Sequence, residues 1–252
     1  MRILYVLIAV CLFSCSSVPH LVIEHKSEII TNIVQSTVMV SYTDKIGSGV
    51  LFQSNDKSYM LTAAHVLEDS PPMPLLLEQK IAPRISTYGT ENIVVIGHKR
   101  NTETVEYVSG AKLVFVEPIL DVAILELDCV DPSMSFTKFG NKLPDQGDDI
   151  YMCGSPLFEN KTLSKGIVCH NRRRFFDPTV EETPLRFIHV DADGGAGSSG
   201  GGLFRCEDGA CIGVVVRGNR ATGMMYCVFV GDIITSINSS SLAKKTLILP
   251  TT

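Results

Sequence analysis

The stretch Asp193-Gly194-Gly195-Ala196-Gly197-Ser198-Ser199-Gly200-Gly201-Gly202-Leu203-Phe204 carries six glycines in twelve residues, with two serines side by side at its centre. Glycine accepts positive φ and lets another backbone come close. Such a run is therefore either a loose connection or a backbone shaped around one side chain. Two segments upstream bear on the choice. A histidine lies in Leu61-Thr62-Ala63-Ala64-His65-Val66-Leu67, and an aspartate opens the apolar run Asp121-Val122-Ala123-Ile124-Leu125-Glu126-Leu127. Each feature has an ordinary reading by itself: His65 as a core residue, Asp121 as a turn or cap residue, the glycine run as a tight turn. Their joint occurrence is what matters.

The rest of the chain frames them. Short apolar runs rich in β-branched residues cover 36–42, 49–53, 92–97, 112–117, 123–127, 149–153, 186–190, 212–217 and 224–230, separated by Gly, Pro, Asn and Asp. This predicts an all-β chain of short strands. Helical signals are few: Asn32 near the start and a short C-terminal helix within 231–245. Residues 70–83 hold four prolines and read as a surface loop, and 138–149 as a linker between two β halves. Of the 252 residues, 45% are hydrophobic and 19% charged, which fits a globular protein and excludes a disordered one. The net charge is −5, and the single basic cluster, Arg172-Arg173-Arg174, reads as a solvated turn. Nucleic acid is not an expected partner.

Arg2 precedes the apolar run Ile3–Phe13, which is too short to span a bilayer and is followed by small residues. Residues 1–15 thus read as a secretory signal peptide. Leu12-Phe13-Ser14-Cys15 also resembles a bacterial lipobox, which would attach the chain to a membrane through a lipid on Cys15; plain cleavage within 14–17 is the alternative. Export leads to an oxidising compartment. No pair among Cys129, Cys153, Cys169, Cys206, Cys211 and Cys227 has C-x-x-C spacing, so neither a metal nor another cofactor is expected. Asp208-Gly209 marks a hairpin turn that would set Cys206 opposite Cys211 as a disulfide. Cys153 and Cys169 flank a second hairpin and form a weaker candidate pair. The six could equally be small buried residues.

Histidine, then aspartate, then Gly197-Ser198-Ser199-Gly200-Gly201, in this order and at domain-scale spacing, resembles the trypsin/chymotrypsin-like serine proteases over about 34–230. The resemblance is strongest to bacterial proteases of the high-temperature-requirement and glutamyl-endopeptidase kind. Gly47-Ser48-Gly49-Val50-Leu51-Phe52 matches their G-S-G-x-x-F strand. Asp191-Ala192 matches the start of their D-A-x-x-x-x-G-x-S-G-G. Gly154-Ser155-Pro156 with Gly166-Ile167-Val168 matches their G-x-P…G-x-V hairpin. The resemblance implies two six-stranded antiparallel β-barrels, about 34–137 and 149–235, with the active site between them, in a protease domain of 16–252 without an appended PDZ domain. It implies a polypeptide substrate and a location in the bacterial cell envelope, the periplasm or outside the cell.

The resemblance also assigns roles. Ser199, directly before two glycines, is the nucleophile, and Ser198 is not. His65 is the base and Asp121 orients it. The amide groups of Gly197 and Ser199 form the oxyanion hole. Substrate backbone pairs with the strand ending Val216-Arg217-Gly218. Asp193, six residues before the nucleophile, falls at the base of the pocket for the side chain preceding the cut bond and would select Arg or Lys. Against this, a methionine from Gly223-Met224-Met225-Tyr226 would shorten that pocket and favour small apolar side chains. The histidine of glutamyl-specific relatives is absent from Val214-Val215-Val216. Digestive members carry an aspartate where this chain has Ser198, so the oxyanion loop must be ordered by other means or stay disordered until substrate binds. The rival readings are a catalytically inactive binding module and an envelope lipoprotein.

Overall fold

The computed structural model describes residues 19–69, 88–90, 92–98, 104–159, 161–175, 185–219, 222–240, 243 and 247–252. The leader, Cys15 and the whole 70–83 loop lie outside them. Helix α1 (Pro19–Gln35) comes first. Ile29 and Ile33, four apart and thus on one face, are both buried. Ile29 lies 3.1 Å from where a Cβ on Gly209 would stand, so α1 rests on a turn of the second half of the molecule. Burying a side chain such as Ile33 stabilises by about 2 kcal/mol. The Ser36 and Thr37 hydroxyls donate to Ile33 O at 3.1 and 2.9 Å, satisfying a carbonyl at the helix end as the chain turns into a strand.

Two barrels follow. The first closes in the order β1 (Thr37–Tyr42), β2 (Lys45–Ser54), β3 (Lys57–Ala63), β6 (Val122–Leu127), β5 (Val105–Glu117), β4 (Ile93–His98). The second closes as β7 (Asp149–Gly154), β8 (Thr162–Phe175), β9 (Leu185–Asp191), β12 (Met225–Phe229), β11 (Cys211–Gly218), β10 (Gly202–Arg205). All pairs are antiparallel. Closure leaves no open sheet edge and gives each barrel an apolar interior. Leu51, Met60 and Leu125, paired across β2, β3 and β6, fill the first, while Ile150, Val190 and Val215 fill the second. The fold class expected from the sequence is the one observed.

Phe139, in the linker, joins the halves. It is fully buried, meets Phe52 edge-on at 5.3 Å, and its neighbour Gly140 donates to Cys211 O at 2.9 Å. Helix α2 (Val230–Ser239) closes the second barrel with Val230, Ile233 and Ile237 buried. Asp232, in its first turn, is gripped by both amino groups of Arg172 at 2.6 and 3.1 Å, and the same guanidinium stands 5.4 Å from the Phe229 ring centroid. The basic cluster is thus part of strand β8 and not a turn.

The expected disulfides are corrected. All six cysteines of the described residues are free thiols. The Asp208-Gly209 turn forms, with Gly209 at φ 71°, but a register shift after Leu203 sets Phe204 opposite Cys211. Cys206 is left on the turn. Arg205 holds Asp208 there through two hydrogen bonds of 2.9 and 2.6 Å. Cys153 pairs with Leu163 and Gly202, while Cys169 falls in an irregularity of β8 between Val168 and His170. Burial pushes the thiol of Cys153 up to about 11 and that of Cys211 up to about 12.

Candidate active site

The pairing of β3 with β6 brings the histidine and the aspartate together. Ala63 stands opposite Val122, and Ala64 N–H donates to Asp121 O at 3.0 Å. The residues beyond Ala63 and just before Val122 then lie side by side. His65 sits in a 3₁₀ turn, Ala64–Val66, and Asp121 has φ 58°, a conformation aspartate accepts more readily than most residues. Both carboxylate oxygens of Asp121 are used on one residue. Oδ1 accepts the His65 backbone N–H at 2.8 Å, and Oδ2 meets His65 Nδ1 at 2.7 Å. A carboxylate only accepts, so Nδ1 carries the proton and Nε2 is free to act as a base. The side chains are 40% and 30% exposed, enough for a reactant to reach the imidazole. Lys45 Nζ donates to His65 O at 3.2 Å and to Glu68 O at 2.5 Å, closing the far side of the turn.

The glycine run is an ordered loop packed against that first barrel. Gly200 has φ 86°, and a Cβ on it would lie 2.0 Å from Ser48 O and 2.9 Å from Ala63 N. Only glycine lets the residue after Ser199 touch the strand that leads to His65. Ser48 N–H donates to Ser199 O at 2.7 Å, and Gly200 N–H donates to Val215 O at 2.7 Å. Ser199 is half-buried. Ser198 is 2% exposed, and its hydroxyl accepts from Gly195 N–H at 3.1 Å inside the loop. The two serines are thereby distinguished: Ser198 is locked within the loop, while Ser199 Oγ makes no hydrogen bond among the described residues.

The peptide planes of the loop follow from their carbonyls. Leu157 N–H donates to Ala196 O at 2.6 Å, and Gly201 N–H donates to Ser198 O at 2.8 Å. In a trans peptide the N–H points opposite the C=O. Gly197 N–H and Ser199 N–H are therefore directed away from Leu157 and Gly201, and neither has an acceptor among the described residues. Two donors of this kind, next to an unpartnered hydroxyl, suit a site where negative charge develops.

A family model described as trypsin-like peptidase domain matches residues 47–214. The chain belongs to the trypsin-like peptidase domain family. The similarity extends to serine protease Do-like HtrA of Lactobacillus helveticus, 25% identical over 209 residues, which is 79% of this chain and 43% of that protein. The mitochondrial serine protease HTRA2 of Bos taurus is 31% identical over 99 residues, 39% of this chain and 21% of that protein. The chain thus spans less than half the length of these relatives. Among solved structures, the Rv3671c protease of M. tuberculosis in an inactive form superposes with TM-score 0.64 at 21% identity, covering 89% of this chain and 96% of that one. The serine endoprotease of Yersinia pestis superposes at 0.60 and 20% identity, covering 88% and 68%. At such identities the structural likeness speaks for the fold.

In this trypsin-like peptidase domain the remaining expected residues lie beside the loop. β11 pairs with β10 only as far as Val214, and Val215 bonds to Gly200 and Gly201. Beyond that point Val216, Arg217 and Gly218 continue the strand past the end of its pairing with β10. Arg217 and Gly218 are exposed. Asp193 is exposed too, with Ser164 Oγ donating to its carbonyl at 3.0 Å. Met225 is buried, its sulfur 3.1 Å from a Cβ position on Gly218 and 3.2 Å from one on Gly194, and Met152 Cε lies 2.8 Å from the latter. Two residues escaped the sequence reading. Leu157 donates to the loop from φ 48°, and nothing in its side chain marks it. Ser48 was visible between two glycines but reads there as part of a strand.

Proposed function

We propose that this chain is a serine endopeptidase in which Ser199 is the nucleophile, His65 the general base and Asp121 the group that orients it. The observation that carries this reading is the double grip of Asp121 on His65, through the ring and through the backbone. Ser199 Oγ attacks the scissile carbonyl carbon while its proton passes to His65 Nε2. The imidazolium that forms is stabilised by Asp121. The carbonyl oxygen, now an oxyanion, accepts from Gly197 N–H and Ser199 N–H. The C–N bond then breaks as His65 returns the proton to the amine, leaving an acyl ester on Ser199. Water, deprotonated by His65, hydrolyses that ester by the same steps. Each oxyanion donor contributes about 3 kcal/mol to lowering the barrier in enzymes of this chemistry.

Substrate would extend the sheet along Val216-Arg217-Gly218. Two residues compete to set the preference at the cut bond. Asp193 would favour Arg or Lys. The position of Met225 between Gly194 and Gly218 favours the other reading, a shallow pocket for small apolar side chains. Hydrolysis of matched peptides differing only in Arg, Leu or Ala before the cut bond, by wild type and Asp193→Ser, separates them. A lost preference for Arg assigns selection to Asp193, and an unchanged ratio assigns it to Met225. The chain would act after export, its leader removed either before Cys15, which then carries a lipid, or by plain cleavage within 14–17.

The direct test of the mechanism uses two substitutions. Ser199→Ala should abolish peptide hydrolysis, while Ser198→Ala, which removes one acceptor inside the loop, should keep most of it. The reverse result would assign the nucleophile to Ser198 and overturn the reading.

A further inference from the structure

We infer that Ser48 is a positioning residue that holds the oxyanion loop of the second barrel in its working shape from the first barrel. The inference rests on the proposed peptidase chemistry. Ser48 is fully buried in β2 and takes part in four hydrogen bonds. Its hydroxyl donates to Gly197 O at 2.7 Å and accepts from Ser155 N–H at 2.8 Å. Its backbone N–H donates to Ser199 O at 2.7 Å, and its carbonyl accepts from Thr62 Oγ1 at 2.6 Å.

The argument turns on Gly197. It has φ 97°, and a Cβ there would lie 2.4 Å from Ser155 O, so the position is confined to the residue with the loosest backbone. The peptide before it carries one of the two free N–H donors, and the peptide after it leads to Ser199. Both planes must be fixed for the donors to converge. The plane before is fixed by Leu157 N–H on Ala196 O; the plane after is tied inside the loop by Ser198 N–H on Gly195 O at 3.0 Å and anchored from outside it by Ser48 Oγ on Gly197 O. The first two ties are backbone to backbone. The third is a side chain, and among the described residues it is the only side chain from outside the loop that bonds residues 195–199. Ser198 has spent its own hydroxyl within the loop. Because β2 pairs with β3, which leads into the His65 turn, one rigid sheet references the base and the oxyanion donors to each other.

The test compares wild type with Ser48→Ala, which removes the hydroxyl, and Ser48→Cys, which fills nearly the same space with a weak donor. A full oxyanion donor is worth about 10²–10³ in kcat, so loosening one should cost roughly 10- to 100-fold in Ser48→Ala, and several-fold in Ser48→Cys. KM should change less than about threefold, and the acid limb of the pH–rate profile should stay in place, because the His65–Asp121 contact is untouched. A peptidyl boronate, whose oxygen enters the oxyanion site, should lose affinity in proportion to kcat. If Ser48→Ala does not fold, Ser48→Cys carries the comparison. A purely structural role would lower the Tm while leaving kcat within about twofold at temperatures where the protein is folded; that result overturns the inference. Amide hydrogen exchange separates this failure from failure of the peptidase reading. Even in a chain that cuts no peptide, the segment 195–201 should lose about tenfold or more of its protection in Ser48→Ala, with the barrels unchanged. Unaltered protection there overturns the inference as well.

Discussion

The two barrels share one strand order, and the site draws on the same point of each. Read from β7, the second barrel runs β7-β8-β9-β12-β11-β10, which matches β1-β2-β3-β6-β5-β4. His65 follows the third strand of the first barrel, and the loop of Ser199 follows the third strand of the second. In the first, that strand leads into a compact 3₁₀ turn tied at once to Asp121 at the start of the sixth. In the second, the strand opens into glycines whose hydrogen bonds reach to β2, to Leu157 and to β11. The corresponding place, just before β12, holds Met224, which is half-buried and has no charge. One half therefore fixes its chemistry by strand register, a local and regular constraint. The other fixes it by positive-φ glycines and long-range bonds, which no single strand dictates.

This contrast can be broken by substitution. Asp121→Asn acts on the regular half and should have the largest effect. The amide oxygen can still accept the His65 backbone N–H, but its NH2 group would donate to Nδ1 and put the ring proton on Nε2, where no base remains. The expected fall in kcat is about 10⁴, with the fold intact by circular dichroism. Gly197→Ala acts on the irregular half. A Cβ cannot sit 2.4 Å from Ser155 O at φ 97°, so the peptide must turn and one oxyanion donor is lost. The fall in kcat should be about 10²–10³, with KM nearly unchanged. If Gly197→Ala proved harmless, the loop would owe its shape to something other than these glycines.

The smallest effect is expected at a turn of the second barrel that behaves like ordinary hairpin structure, Asp208-Gly209. Arg205 and its hydrogen bonds hold the Asp208 carboxyl below the usual carboxylate range. Because the folded value is depressed, the contribution is present above the unfolded value near ~3.9 and is lost as pH falls through the folded value. Asp208 is 40% exposed on its side chain, so Asp208→Asn should cost no more than about 1 kcal/mol, or ~2–4 °C in Tm, at neutral pH. The difference from wild type should shrink as pH falls below ~3.9 and vanish once pH lies below the depressed folded value. Activity should not change, which would separate this turn from the loop beside it.

The sequence made the strands with β-branched runs visible, since β4, β6 and β11 alternate or cluster as buried strands do. It hid β8, whose Arg172-Arg173-Arg174 resembles a solvated turn although its backbone pairs with β9. It hid β10, only four residues long, and of α1 it showed only a helical signal at Asn32, because the Ile29–Ile33 spacing lay just behind the leader. Of the site, His65, Asp121 and the glycines around Ser199 were legible because their residue types are constrained by contact: Gly200 by 2.0 Å to a backbone oxygen, Asp121 by both its oxygens. Ser48 and Leu157 were not, because hydrogen bonds across more than a hundred residues, or from a backbone N–H, leave no local pattern. The disulfide expectation failed for a related reason. A turn can be read from Asp208-Gly209, but the register shift that sets Phe204 and not Cys206 opposite Cys211 cannot.

The central claim is that the loop presents Ser199, and not its neighbour, to the base. Its most direct test is to react the protein with a fluorophosphonate and locate the adduct by mass spectrometry of the peptide spanning 195–205. The account predicts a single adduct on Ser199 that is absent from His65→Ala. An adduct on Ser198, or equal labelling of wild type and His65→Ala, would contradict it.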